Sequence, residues 1–218
     1  LAAVTREVRA AGGRADHYTL DLSREDDVVR FADLVQREHP RLDVIVSNAG
    51  RSVRRGALDG TSRRDLDRLV RVNLTGPAAL ILALLPRMIE QGGGHVVSSS
   101  TVSVKPPAAP RWTAYQASKT AFDVWLRGLA LELRGRGVRC TSVYLPLVRT
   151  PMSAPTKQYQ RLPALSAREA AQVMAFAVVT RRARVAPWWL RAQELAAVLL
   201  PGPLDRLLAG VEERERRA

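Results

Sequence analysis

The sequence predicts a doubly wound α/β fold with a parallel sheet at its centre. Three observations predict it. Strand-like and helix-like segments alternate along the chain, and the connections are long enough for crossover helices. The segment 42–50, "LDVIVSNAG", is a nearly continuous apolar run of β-branched residues, as in a strand buried on both faces. With 218 residues and no internal repeat or linker, the chain predicts a single domain over 1–218, with a substrate-side and C-terminal region over 150–218.

The elements follow in order from apolar spacing and turn formers. Residues 1–11 predict the end of an amphipathic helix, closed by two glycines. A short strand is predicted over 15–23, and Ser23 is predicted to cap the helix that follows it. The further predicted elements are the strand 42–50, a helical region over 62–90, the strand 94–100, a helix that contains Tyr115 and runs to about Leu133, and the strand 138–146.

The C-terminal region begins with a good N-cap at Ser166. Trp188 and Trp189 precede an amphipathic stretch, which fits a core strand and helix, an oligomer face or a membrane-surface element. All three interpretations stay open from the sequence, with the core ranked first.

The composition is that of a soluble globular protein, with 46% hydrophobic and 25% charged residues. The single cysteine, Cys140, lies in an apolar run and predicts a buried structural thiol. The net charge of +13 comes from arginines scattered among acids, which makes nucleic-acid binding unlikely. The visible sequence suggests no signal peptide, no membrane-spanning run and no metal-ligand spacing, so a cytoplasmic protein without a metal is expected.

Polar and small residues gather where the predicted strands end. Ligands of doubly wound sheets bind beyond the carboxyl ends of the strands. This rule selects Asp21, then Asn48, Ala49 and Gly50, then Ser98 to Ser100, and finally Pro146 to Thr150. Each residue alone could be a turn former, but their joint placement favours a binding site.

Tyr115 and Lys119 follow the third of these strands. Four residues along a helix return to the same face, so the two side chains are predicted to be neighbours. Lysine is scarce here, with three among 34 basic residues, and there are four tyrosines. Chance alone then predicts about 0.06 such pairs, which favours a functional pair.

The motifs and their order resemble the short-chain dehydrogenase/reductase family, with its Rossmann-like three-layer αβα fold. The resemblance covers the chain from Asp21 to Thr150. It rests on "NAG" at 48–50, "VNLTG" at 72–76, "VVSSS" before "YQASK", and "YLPLVRTPM" at 144–152. The stretches "APRWTAY" and "PLVRTPMSAPTKQY" are similar to an actinobacterial branch resembling fatty acyl-CoA reductase domains.

The resemblance implies an enzyme that transfers a hydride between NAD or NADP and a carbonyl or alcohol, with a lipid-derived substrate favoured. Tyr115 would be the acid/base, and Lys119 would lower its pKa and bind the nicotinamide ribose. Ser100 would hold the substrate oxygen, with Ser99 and Thr101 as alternatives, and Asn73 would position a water leading to Lys119. The implied cofactor contacts are Asp21 (to adenine), Asn48, Ala49, Gly50, Tyr115, Lys119, Pro146, Val148 and Thr150.

The resemblance also implies a homo-oligomer that binds a small-molecule substrate, for which an acyl chain is one candidate. A membrane surface is a possible partner but is not predicted. The alternative functions are a non-catalytic binding module on the same fold and, less favoured, an arginine-rich nucleic-acid binder. Whether the cofactor is NAD or NADP stays open, as do the substrate, the reaction direction and the oligomeric state.

The sequence departs from the family pattern in three places. A glycine-rich dinucleotide turn is absent from the first βαβ portion, so the chain is expected to be a fragment, rather than a protein that lost its phosphate site. Such a fragment is expected to bind the dinucleotide poorly. Ser100 precedes Tyr115 by fifteen positions, slightly more than is usual, and the loop 105–110 can absorb the excess. Leu147 stands where the family usually has glycine.

Overall fold

The computed structural model, which describes residues 1–58 and 61–217, is built around one parallel four-stranded sheet. The strands are β1 (Val44–Ser47), β2 (Gly94–Thr101), β3 (Val138–Leu145) and β4 (Arg184–Val185), in the order β1-β2-β3-β4. Parallel neighbours need crossover connections, and helices supply them between consecutive strands. The predicted fold class is therefore confirmed, and the predicted strand 42–50 is shortened at both ends to β1.

Eight α-helices surround the sheet in the described part of the chain. They are α1 (Ala2–Ala10), α2 (Glu25–Glu38), α3 (Ser62–Val70), α4 (Gly76–Glu90), α5 (Thr113–Glu132), α6 (Ala167–Thr180), α7 (Leu190–Leu199) and α8 (Pro201–Arg217). A π-helical turn (Arg71–Thr75) joins α3 to α4, and short 3₁₀ segments cover Val102–Val104 and Lys157–Arg161.

The two faces of the sheet bury separate apolar clusters. On one face Val96 packs with Phe122 against α4 and α5. On the other face Val97, the next residue of β2, packs with Ala170 against α6. Successive side chains of a strand point to opposite faces of the sheet. The positions of Val96 and Val97 therefore decide to which side of the sheet each later side chain of β2 points. Cys140 is buried in the first cluster, as predicted, and burial raises the pKa of its thiol to about 11.

The predicted strand over 15–23 is wrong, and so is the predicted cap. A strand requires a hydrogen-bonded neighbour, and within the described residues this segment is paired with no strand. Helix α2 has Arg24 at its N-cap position without a side-chain cap. Ser23 instead donates from its backbone N–H (2.9 Å) and its hydroxyl (2.7 Å) to Oδ1 of Asp21. This local turn competes with capping, and its hydrogen bonds lower the pKa of Asp21.

The predicted helical region 62–90 is confirmed as a continuous helical stretch. The helix Ser62–Glu90 is long enough and apolar enough to cross a membrane, judged by length and composition alone. Of the apolar segment that meets this test, 44% is buried inside the fold. A core helix of a globular protein meets the same criteria. Ile81, Leu85 and Met88 of this stretch are buried in the cluster against the sheet, which accounts for its apolar character.

Gly76 lies where α4 meets the chain segment before α2. A β-carbon at this position would stand 2.0 Å from the carbonyl oxygen of Leu22 and 3.0 Å from that of Arg71. Both contacts are with backbone, so neither neighbour can rotate away.

We therefore expect Gly76→Ala to lower the free energy of unfolding of this chain by about 2–3 kcal/mol, measured by urea denaturation. Gly128→Ala is the matched control, because Gly128 also lies inside a helix but a β-carbon there would meet nothing within 4 Å. The control is expected to gain about 0.5–1 kcal/mol from helix propensity. Equal effects of the two substitutions would contradict the steric argument.

The predicted cap at Ser166 is confirmed as a full capping box. The Ser166 hydroxyl accepts from the backbone N–H of Glu169 (3.2 Å), and the Glu169 carboxylate accepts from the Ser166 backbone N–H (2.7 Å). The side chains of Trp188 and Trp189 have different surroundings. Trp189 packs against the cluster around Leu190, whereas the side chain of Trp188 is exposed, with 88% of its surface accessible.

Candidate active site

A cavity of about 930 Å³ opens at the carboxyl ends of the strands, where the sequence predicted a binding site. It is lined by nearly all the predicted residues. From the predicted site, the lining contains Asn48, Gly50, Ser99, Ser100, Thr101, Tyr115, Lys119, Pro146, Val148 and Thr150. Asp21, Ala49 and Asn73 are not in the lining, and the structure does not bring Asp21 to this cavity.

Tyr115 and Lys119 of α5 face two residues of the same strand end. Nζ of Lys119 donates to the backbone carbonyl of Ser99 at 2.9 Å. The side chain of Thr101 lies near the Tyr115 hydroxyl and acts to lower the pKa of this phenol. Four residues along a helix advance by about 6 Å, and two residues along a strand advance by about 6.6 Å. The spacing of the pair on α5 therefore matches alternate residues of β2, and both side chains reach the cavity.

Burial sets the protonation of both groups. Desolvation raises the pKa of the Tyr115 phenol above its ordinary value, while the side chain of Thr101 acts in the opposite direction. Desolvation lowers the pKa of Lys119 to about 8, and the carboxylate of Asp123, one turn further along α5, partly opposes this shift. Tyr115 is thus a protonated phenol at neutral pH, beside an ammonium group that is poised to lose its proton.

Of the three hydroxyls proposed from the sequence, Thr101 is the one that meets Tyr115. Ser100 shares the α4–α5 face of the sheet with Val96, and 7% of its surface is accessible. Thr101 shares the other face with Val97, on the side of the cavity that α6 closes. The Thr101 hydroxyl also accepts from the backbone N–H of Ser103 at 3.2 Å, which fixes its position. The geometry thus favours Thr101 over the predicted Ser100.

Asn73 lies in the π-helical turn and is 2% exposed. Its side-chain amide donates to the carbonyl of Arg51 (2.9 Å) and to the hydroxyl of Ser118 (3.0 Å), and its oxygen accepts from the N–H of Arg51 (2.8 Å). Ser118 in turn donates to the carbonyl of Tyr115 at 2.9 Å. A π-turn shifts the register of a helix, and here it turns Asn73 toward the loop after β1 and toward α5. Asn73 therefore holds the loop after β1 and the helix α5 together around Lys119.

The loop after β1 approaches Lys119 closely at Gly50. A β-carbon on Gly50 would lie 3.2 Å from Oδ1 of Asn73 and 3.7 Å from Nζ of Lys119. The small residue keeps this end of the cavity open beside a buried cation. Hydroxyl groups of a ribose are suitable hydrogen-bond partners for such a cation.

The loop after β3 forms the opposite wall of the cavity. Leu165 pairs with it through two backbone hydrogen bonds, from Arg149 N–H (2.8 Å) and to the Leu147 carbonyl (2.9 Å). The Ser153 hydroxyl bonds the carbonyls of Val148 (2.8 Å) and Thr150 (3.0 Å). The wall is thereby fixed, although Leu147 replaces the glycine usual in the resembled family.

Sequence reasoning missed the aromatic residues of the cavity. Trp112 and Tyr159 both line it, together with Met152 and Met174. Tyr159 stands 44 positions after Tyr115, so no local spacing connects them. The only available signal was that both aromatics fall within the two stretches similar to the acyl reductase branch.

Comparisons with known proteins agree with this geometry. A family model of short chain dehydrogenases matches residues 1–161. A fatty acyl-CoA reductase of Mycobacterium tuberculosis is 39% identical over 188 residues, which cover 86% of this chain and 64% of that protein. A fatty acyl-CoA reductase of Acinetobacter baylyi is 36% identical over 200 residues, covering 89% of this chain and 68% of that protein.

Solved structures give the same result. A short-chain dehydrogenase from Streptomyces avermitilis has a TM-score of 0.72 and 31% identity, covering 99% of this chain and 84% of that one. A metagenomic short-chain oxidoreductase, solved in complex with NADP, has a TM-score of 0.63 and 38% identity, covering 66% of this chain and 65% of that one.

The fold and the site define the class, an α/β oxidoreductase with its ligand cavity at the carboxyl ends of a parallel sheet. Within that class, the chain belongs to the short-chain dehydrogenase family, whose enzymes use NAD or NADP. The predicted family, enzyme class and cofactor class are therefore confirmed. The chain spans 64% of the length of the Mycobacterium tuberculosis relative.

Proposed function

We propose that the protein containing this chain reduces a lipid-derived carbonyl compound with NADH or NADPH. The observation that carries this proposal is the convergence of Tyr115 with Thr101, and of Lys119 with the Ser99 carbonyl, at one edge of the cavity. A proton donor, a second hydroxyl and a buried cation are the groups that carbonyl reduction requires.

When bound, the nicotinamide supplies the hydride that forms the new C–H bond as the C=O π bond breaks. Tyr115 donates its phenolic proton to the carbonyl oxygen, which becomes the alcohol. Thr101 donates a hydrogen bond to the same oxygen while negative charge develops on it. The Tyr115 phenolate then recovers a proton from solvent through Lys119, so one carbonyl, one hydride and one proton give one alcohol. The raised pKa of Tyr115 supports this direction, because it keeps the phenol protonated as a general acid.

Lys119 and Asn73 have supporting roles in this proposal. The ammonium group of Lys119 stabilises the phenolate electrostatically, and it is placed to bind the nicotinamide ribose. Asn73 was predicted to position a water for proton transfer. Its three hydrogen bonds with Arg51 and Ser118 favour a positioning role, in which it holds the loop and α5 around Lys119.

The substrate class rests on the relatives and on the cavity lining. Both reductases named above act on fatty acyl-CoA by their names. The cavity lining also contains apolar side chains that suit an aliphatic chain, namely Leu147, Met152, Ala170, Ala171 and Met174. We also infer a cytoplasmic location and a homo-oligomer, in line with the sequence.

Substitutions at the end of β2 test which hydroxyl serves the reaction. We expect Thr101→Val to lower kcat by about 10²–10³-fold, the effect of removing one donor to a developing oxyanion. Thr101→Ser keeps the hydroxyl and is expected to retain turnover within a few-fold. The measurement is steady-state NAD(P)H oxidation with a long-chain aldehyde, using the full natural polypeptide that contains this chain.

Ser100→Ala is the matched control, because it removes the adjacent hydroxyl on the other face of β2. Its turnover is expected to stay within a few-fold of the wild type. A larger loss for Ser100→Ala than for Thr101→Val would restore the original assignment of Ser100. Dinucleotide binding without any turnover on carbonyls or alcohols would favour the non-catalytic binding module.

A further inference from the structure

Three aromatic rings form a continuous row at one end of the cavity. Trp112 and Tyr159 are stacked, with ring centroids 5.6 Å apart and an angle of 11° between the ring planes. Trp112 also meets Tyr115 edge to face, with centroids 5.9 Å apart and an angle of 67°. The acid/base proposed above is therefore in contact with Trp112, and Trp112 with Tyr159.

The backbone around Trp112 is fixed from two sides. Arg111, the preceding residue, has a φ of 63°, a left-handed conformation that non-glycine residues rarely adopt. Its carbonyl accepts from the N–H of Arg55 at 2.7 Å. Its side-chain Nε donates to both carboxylate oxygens of Glu212 on α8, at 2.8 and 3.1 Å. The C-terminal helix thus supports the turn that presents Trp112 to the cavity.

Tyr159 comes from the opposite side of the cavity. It lies in the 3₁₀ segment Lys157–Arg161, which follows the loop after β3, and its side chain is half-buried. The stack therefore connects the loop after β3 with the turn before α5. Burial, followed by the electrostatic interaction with the Tyr115 hydroxyl, raises the pKa of Tyr159 to about 12, so this ring stays a neutral phenol.

The cavity that the stack lines also contains adaptable apolar side chains. Met152 and Met174 line it, and methionine side chains fit irregular apolar partners because they are unbranched and flexible. Because Trp112 and Tyr159 are stacked on each other, their rings form a flat, rigid wall next to Tyr115. An unbranched chain can lie along such a wall, whereas a ring system that is bulky next to the carbonyl would collide with it.

We propose that Trp112 and Tyr159 form an aromatic clamp that closes the substrate end of the cavity and selects an unbranched aliphatic chain next to the reacting carbonyl. The proposal rests on the proposed carbonyl reduction and adds the substrate shape and the residues that select it. Trp112 and Tyr159 are positioning and specificity residues, whereas proton transfer stays with Tyr115. Glu212 acts on Trp112 indirectly, because it binds the side chain of Arg111, the preceding residue.

The test compares decanal, which is unbranched, with cyclohexanecarbaldehyde, which is bulky beside the carbonyl. In the full natural polypeptide, Trp112→Ala is expected to raise KM for decanal by about 10–100-fold, since it removes a large buried contact surface, while kcat changes by only a few-fold. The preference for decanal over cyclohexanecarbaldehyde is expected to fall by a similar factor. Trp112→Phe keeps a flat ring and is expected to restore most of the preference.

Three further variants separate the clamp from general effects. Tyr159→Phe keeps the stack and is expected to retain the preference, whereas Tyr159→Ala is expected to lose it as Trp112→Ala does. Glu212→Gln is expected to give a smaller loss of preference in the same direction. Trp188→Ala is the matched control, because it removes an exposed tryptophan outside the cavity and is expected to change neither KM nor the preference.

Binding of decanol, measured by calorimetry, distinguishes failure of the clamp from failure of the proposed reaction. If the wild type binds decanol and Trp112→Ala binds it at least tenfold more weakly, the clamp is supported even without turnover. If aldehydes are reduced but Trp112→Ala keeps both its KM for decanal and its preference, the clamp is wrong and the reaction stands. Absence of decanol binding by the wild type would also overturn the clamp.

Discussion

Replacing Tyr115 with phenylalanine is expected to lower kcat by about 10²–10⁴-fold, the usual loss when a general acid is removed. The substitution deletes one hydroxyl and leaves the ring that Trp112 contacts edge to face. The cavity, the fold and cofactor affinity should therefore survive. Steady-state turnover of decanal in the full natural polypeptide, with a cofactor titration beside it, measures both quantities.

Tyr18→Phe is the matched control for this experiment. Tyr18 also carries a hydrogen-bonded hydroxyl, which donates to Glu38 at 2.5 Å, but it lies outside the cavity. The control is expected to be silent in turnover. Full activity of Tyr115→Phe would remove Tyr115 from the reaction and reduce its pairing with Lys119 to a coincidence of spacing.

The parts of the fold that the sequence predicted correctly are those fixed by local pattern. The apolar run 42–50 and the strands that follow it are recognised as strands of a parallel sheet from their apolar, β-branched composition. The strands β2 and β3 are mostly buried, whereas β1 is only partly buried, with Val46 48% exposed. Tyr115 and Lys119 could be paired because an i, i+4 spacing on a helix needs no tertiary information. The capping box at Ser166 is likewise contained within four residues.

The errors arise where a distant partner decides the outcome. The segment 15–23 has the composition of a strand, but a strand forms only with a neighbour, and composition does not reveal one. The choice among Ser99, Ser100 and Thr101 could not be made from the sequence, because "SSST" offers hydroxyls on both faces of β2 and only the packing of Val96 and Val97 sets the phase. The Trp112–Tyr159 stack joins two loops that are separated by the whole of α5 and β3.

Lys119→Met is expected to impair both turnover and cofactor binding. It removes the cation next to Tyr115 and the proposed partner of the nicotinamide ribose. Loss of a charge-assisted hydrogen bond of about 1.5–3 kcal/mol corresponds to a cofactor Kd about 10–100-fold higher. Arg127→Met is the matched control, because Arg127 also stands four residues from Asp123 on α5 but points away from the cavity. Its cofactor Kd is expected to be unchanged.

The same Lys119→Met substitution is expected to stabilise the fold. The pKa of Lys119 falls from its ordinary value of 10.5 to about 8 in the folded chain, chiefly through burial. Between these values the unfolded chain binds the proton and the folded chain does not, so stability rises with pH in that window. Below about pH 8 the lysine is charged in both states, and burying the charge costs stability that methionine does not lose.

We therefore expect the free energy of unfolding of this chain to rise by about 1–3 kcal/mol near pH 7 on Lys119→Met, after allowance for the lost hydrogen bond to the Ser99 carbonyl. The gain should shrink toward zero as the pH approaches about 10, where Lys119 is already neutral in the fold. Urea denaturation of both variants across this pH range measures the difference. A variant that is less stable than the wild type near neutral pH would mean that Lys119 is held for stability. A gain that vanishes at high pH would mean that the fold tolerates a buried ammonium group because the reaction requires one.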